Sequence, residues 1–257
     1  MAQFTKLHWM RNGIMYEQLF VNTCGMFNIW HYLTILLFFL LLWGFLRLSR
    51  HMTAAQVSMC HFFIAVGITL LEVWKIISRI RKGYGPDSWV PLYYCSLFLF
   101  AIWLSLCPWE PGRRAGYAFI TMGGILASVA FTIYPSTSLG MYPLLHPSTL
   151  HSFLYHLVMC HTGILLLKKG CYRPKKGDSL HYFLFVLAAC VAALPLNASI
   201  GTNCMFLSHP FGLPVLQPIR DYCHFLYILV AILGQAVAWF WLHYGLYQLL
   251  QRKAETI

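Results

Sequence analysis

Residues 28–46 read NIWHYLTILLFFLLLWGFL, a run without a single Asp, Glu, Lys or Arg. Wound as a helix at ~1.5 Å per residue, such a run covers roughly the 30 Å of hydrocarbon in a bilayer. A helix apolar on every side has no face to offer water, so it belongs in lipid. Comparable runs lie near 55–77, 89–107, 116–134, 149–167, 181–200 and 222–250. The last exceeds the minimum and is accommodated by tilt or by extension past the bilayer. Between them fall loops marked by turn chemistry and charge: Arg47 to His51, Gly83-Tyr84-Gly85-Pro86-Asp87, Pro108 to Arg114, Pro135 to Pro147, and Lys168 to Asp178. The expectation is an all-α polytopic membrane bundle of seven transmembrane helices, a single integral membrane domain over 1–257.

Composition agrees, with 59% hydrophobic and 10% charged residues. In a soluble protein a net charge of +11 suggests nucleic acid, but here Lys and Arg sit in short loops between apolar runs, where they meet lipid headgroups and set topology. Nucleic acid is therefore set aside as a partner. Nine cysteines occur without a CxxC pair, most inside apolar runs, which indicates neither a disulfide framework nor a zinc site. The first 20 residues carry Lys6 and Arg11 with no continuous apolar core, which argues against a cleaved signal peptide.

Counting Lys and Arg on alternate sides gives 11 for the side of the 47–51, 110–114, 168–178 and C-terminal segments, against 7 for the other. The positive-inside rule then puts the N-terminus outside and the C-terminus inside. Lys75, Arg79, Arg81 and Lys82 run against it on the outer side.

With that direction, Cys95 is six residues in from Trp89 and His156 seven in from Thr149, so both lie about 10 Å below the outer surface. Glu72 reaches a similar level from a third helix. Asn197 and Asn203 sit at the outer end of span six, and Arg220 with Asp221 at the outer start of span seven. The costly polar groups thus gather in the outer half, where a cavity for a membrane-borne substrate or solute needs them.

Each candidate has two uses. Cys95 is either packing or a nucleophile; Pro91 is compatible with a helix start just before it, and a helix N-terminus favours a thiolate. His146, His151, His156 and His161 recur every five residues, a turn of about 500° between neighbours, so they do not line one face or chelate one metal. His156 has the depth of a general base, and His151, nearer the surface, suits a second proton carrier; either can instead hold a neighbouring helix by a hydrogen bond. Glu72 either neutralises Lys75 at i, i+3 or orients an imidazole. The Asn197 to Leu207 segment offers amide donors and a Gly-permitted turn suited to an oxyanion, or simply caps a helix. HExxH zinc spacing is absent, and no metal or other cofactor is expected.

Trp89-x-Pro91-Leu92-x-x-Cys95, the His156 span, Glu72-x-x-Lys75 and Asn197-x-x-x-Gly201-Thr202-Asn203-x-Met205-Phe206-Leu207 together resemble the YwaF-like and transmembrane protein 164 family of seven-span membrane proteins, over about residues 30 to 250. The compact chain resembles its bacterial branch; a more distant likeness is to the androgen-induced family of membrane lipid hydrolases. The resemblance implies a phospholipid acyltransferase with a cysteine acyl-enzyme, Cys95 as nucleophile, His156 as base, and Asn197 and Asn203 as supporting groups. It also implies phospholipid and lysophospholipid substrates in a bacterial plasma membrane or an endoplasmic-reticulum-type membrane. Tyr93-Tyr94 stands before Cys95 where the family commonly has a His. Beside acyl transfer or acyl-ester hydrolysis stands the alternative of a non-catalytic transporter or lipid- or solute-binding protein using the same outer polar cavity, with Glu72, His151 and Arg220 as supporting groups.

Overall fold

The computed structural model describes residues 18–210 and 214–255; Lys6, Arg11 and the segment that bears on a signal peptide lie outside them. Among the described residues the chain is helical with no strand. Six of the described helices are long and apolar enough to cross a membrane. They include α1 (Ile29–Leu48) and α2 (Ala54–Arg81), followed by the shorter apolar α3 (Leu97–Leu106). Next come α4 (Glu110–Ile133), α5 (Pro147–Lys168) and α6 (Asp178–Ile200), then a short helix α7 (Gln217–Tyr222) and the long α8 (His224–Lys253).

Local chemistry sets the helix ends. Asn28 caps α1, its side-chain oxygen accepting from the His31 N–H. Thr53 and Gln56 form a reciprocal capping box at α2, and Pro147 occupies the first turn of α5. α6 stops at Gly201, whose φ of 66° is the left-handed conformation that glycine adopts without strain.

α4 and α5 are the most enclosed helices; α1, α2, α6 and α8 leave most of their apolar surface outward. Close approach at the centre depends on missing side chains. A Cβ on Gly116 would meet the Ala101 carbonyl oxygen of α3 at 2.4 Å, and one on Gly163 the Ile120 carbonyl oxygen of α4 at 2.7 Å. α4 also carries a π turn over Phe119–Gly124, buried throughout; His243 Nδ1 of α8 donates to its Met122 carbonyl at 2.9 Å.

The expected third span, 89–107, is helical only over Leu97–Leu106. Val90 precedes Pro91, a context that disfavours helix, and the Leu92 carbonyl is taken by the Met205 N–H at 2.9 Å. The approach to α3 is thus open chain pinned to another loop.

Contacts sort the connections onto two ends of the bundle. At one end Arg79 reaches Tyr142, Cys24 N–H reaches the Tyr142 carbonyl, and Asn203 N–H reaches Asp87. At the other, Lys169 donates to the Arg50 and Met52 carbonyls and Arg114 holds Asp178.

Candidate functional site

A cavity of about 390 Å³ opens at the first of these ends. Its wall includes Cys95, His151, His156, Glu72 and Asn203, five of the seven residues singled out from the sequence. Asn197 and Arg220 are not in that wall. A second, larger hollow between α2 and α3, floored by Met59, Phe62 and Trp103, faces outward and carries no titratable cluster.

Cys95 sits on the turn just ahead of α3, not two turns inside a helix as the apolar run suggested. The N–H groups of Leu97, Phe98 and Leu99 return to carbonyls of residues 93 to 96. Those of Cys95 and Ser96 have no carbonyl acceptor among the described residues, as expected for the first amides of a helix. The half-buried thiol therefore lies beside free backbone donors at the positive end of α3.

His156 is 7% exposed and stacks on Phe131 with ring centroids 3.7 Å apart. Its Nδ1 is 2.7 Å from the Ser152 carbonyl oxygen. A carbonyl only accepts, so Nδ1 carries the hydrogen and the lone pair of the neutral ring is on Nε2. That Nε2 is buried without a hydrogen-bond partner. Tyr155, its neighbour, makes a long 3.5 Å contact to the carbonyl of Ser96, the neighbour of Cys95.

Glu72 is 1% exposed. One carboxylate oxygen is ion-paired with Lys75, and the other is 3.8 Å from His151 Nε2, which itself has no hydrogen-bond partner. The carboxylate thus neutralises Lys75 and lies near an imidazole at once. The other two histidines of the five-residue series go elsewhere: His146 caps α5 and stacks on Tyr142, and His161 meets Ser49 Oγ at 3.1 Å. The 500° spacing separated them as expected.

The asparagines do something different from what was expected. Asn197 Nδ2 donates to the Cys204 carbonyl at 3.0 Å while its oxygen accepts from Thr202 Oγ1 and Cys204 N–H. Asn203 is engaged likewise, its oxygen accepting from the Ser208 and His209 N–H groups and its Nδ2 donating to the His209 carbonyl at 2.9 Å. Both amides are struts of the 201–209 loop. Arg220 is a strut too: its Nε donates to the Ser208 carbonyl at 3.0 Å and Nη1 is 3.5 Å from Asp221.

Asp87 was missed. Its Oδ1 accepts from the Asn203 N–H at 2.7 Å and from the Tyr93 hydroxyl at 2.5 Å, tying the loop before Cys95 to the loop after α6. The signal available was one acidic residue in a Gly-Pro turn just before a span, in a chain with seven Asp and Glu. The tied loop holds Met205 and Phe206 at φ of 53° and 54°, a left-handed pair without glycine, and Phe206 packs on Tyr93 in the cavity wall.

Fold and site together define a helical integral membrane protein with a polar cavity near one end of its bundle. Residues 21–244 match the TMEM164 family, and the chain belongs to it, as its motifs suggested. No curated protein and no solved structure matches the chain.

Proposed function

We propose that the protein crosses the membrane seven times with its N-terminus outside and acts as an acyltransferase or acyl-ester hydrolase on phospholipids. The third crossing is made by the irregular 89–96 segment together with α3. The bundle end opposite the cavity carries the 47–51, 110–114 and 168–178 cations, which supports an outward-facing cavity.

One observation carries the chemistry: a buried imidazole with its basic nitrogen unpartnered and its tautomer held by a carbonyl, in the same cavity wall as a thiol. His156 Nε2 takes the Cys95 proton, and the thiolate attacks an acyl carbonyl of the phospholipid. The ester C–O bond breaks, the departing glycerol oxygen receives the proton from His156, and the acyl group stays on sulfur as a thioester. A lysophospholipid hydroxyl or water, deprotonated by the same imidazole, attacks the thioester and restores the thiol. The free N–H groups of Cys95 and Ser96 are the donors suited to the oxyanion, in place of the engaged asparagine amides.

The Glu72–Lys75 pair in the same wall favours a second reading, a non-catalytic site for a charged solute. Purified protein given a phospholipid and a labelled lysophospholipid separates the two. Acyl exchange lost in Cys95→Ser, with a hydroxylamine-sensitive acyl group on the wild type, supports acyl transfer. Equal exchange by both proteins ends the cysteine mechanism, and no exchange with any lipid transfers the cavity to the binding reading.

A further inference from the structure

Lys75, Arg79, Arg81 and Lys82 oppose the charge asymmetry that orients the chain, and two of them line the cavity. Glu72, Lys75 and Arg79 fall at i, i+3 and i+7 of α2, one stripe of that helix, which climbs about 10 Å from the buried carboxylate to the mouth. Lys75 is neutralised by Glu72. Arg79 is not neutralised: no carboxylate lies within ion-pair distance of it among the described residues. One of its five donors goes to the Tyr142 hydroxyl at 3.0 Å, and its guanidinium carbon lies 5.5 and 5.4 Å from the ring centroids of Tyr84 and Tyr142. The aromatic contacts fix the plane of the fork while leaving most of its N–H groups unspent.

We propose that Arg79, set over Tyr84 and Tyr142 at the cavity mouth with Lys75 beneath it, binds the phosphate of a lipid headgroup and thereby places the glycerol esters over Cys95. The lipid identity of the ligand rests on the acyl-transfer function proposed above. Guanidinium is the side chain whose parallel donors match phosphate oxygens two at a time, and it keeps its charge at any physiological pH. Beside the mouth, burial first and then the Lys82 and Arg79 charges hold the His146 imidazole below its ordinary range. An anion entering there meets the Arg79 guanidinium, whose charge no carboxylate within ion-pair distance offsets although Asp87 lies elsewhere in the same wall, whereas a neutral glyceride gains no such contact. Cations kept on this side against the topological rule then have a use that offsets their cost to orientation.

Binding can be read without turnover. Cys95→Ser protein in a maltoside detergent, titrated calorimetrically with lysophosphatidylcholine and with the monoacylglycerol of the same chain, should bind the phosphate-bearing lipid about tenfold or more tightly, the size expected for hydrogen bonds to a charged group. Adding Arg79→Gln should abolish that preference, Arg79→Lys should keep part of it, and Tyr142→Phe should keep most, since the charge remains. Glycerophosphocholine should compete weakly. Equal binding of the two lipids, or a preference untouched by Arg79→Gln in folded protein, overturns the proposal. Competition by inorganic phosphate at the affinity of the lysolipid overturns the headgroup assignment in favour of a free anion. If wild type exchanges no acyl chain yet the Arg79-dependent preference persists, acyl transfer falls and the phosphate site stands.

Discussion

Two buried carboxylates, one at each end of the bundle, are surrounded in opposite ways. Asp178 is fully enclosed, and every direction around it is occupied: Arg114 Nε at 2.8 Å and its Nη2, the Tyr172 hydroxyl at 2.6 Å and the Lys175 N–H at 2.8 Å. Glu72 is as deeply buried, yet it has one ion pair, the unpartnered His151 Nε2 at 3.8 Å, the unpartnered His156 Nε2 in the same wall, and open space. A buried charge whose hydrogen bonds are all made by protein is a fastening. Unspent hydrogen-bonding capacity beside a cavity is held for something that arrives.

That contrast can be broken experimentally. The largest effect is expected at the open end: Cys95→Ala and His156→Ala should each lower acyl exchange by on the order of 10²–10⁴-fold, and the double variant by little more, because in the proposed mechanism nucleophile and base act as a unit. Their melting in detergent should stay close to wild type; multiplying losses would show that the two act separately. At the closed end Asp178→Ala should cost about 3 kcal/mol or more of stability, since it strands Arg114 and Tyr172, while exchange per folded molecule is retained. A folded but inactive Asp178→Ala protein would erase the distinction between the ends. Asn203→Ala comes next, with a loss of about 1–3 kcal/mol from the freed Ser208 and His209 amides, read by thermal denaturation. Smallest is Glu110→Gln, which removes an exposed pair with Arg113 and should change stability by about 0–1 kcal/mol.

Hydropathy made the bundle legible because a helix in lipid must be apolar along its whole length. It failed at residues 89–96, where an equally apolar stretch is held open by Pro91 and by a hydrogen bond to Met205, a partner more than a hundred residues away. Depth matching pointed Cys95, His156, Glu72 and Asn203 to one cavity, since rise per residue converts sequence position into height, and His151, read as nearer the surface, lines that cavity too. It could not say which amides were already spent. Asn197 and Asn203 look like donors in a sequence and prove to be struts, because their partners are backbone groups that only the folded loop supplies. Arg79 entered the sequence reading only as a charge against the orientation, for the same reason: Tyr84 and Tyr142 approach it only in three dimensions.

The left-handed pair Met205 and Phe206 has a kinetic consequence. Each residue in that conformation costs on the order of 1–3 kcal/mol, and the bonds that hold the pair in place include Met205 N–H to Leu92, Phe206 N–H to Asn203, Gln235 to the Met205 carbonyl, and Tyr227 to the Phe206 carbonyl. Energy stored there is released when the loop opens, so its local opening is easier than that of the helices around it. In deuterated buffer the amides of 204–207 should exchange well before those of the buried turn 119–124, and Met205→Gly, which removes the strain, should slow them.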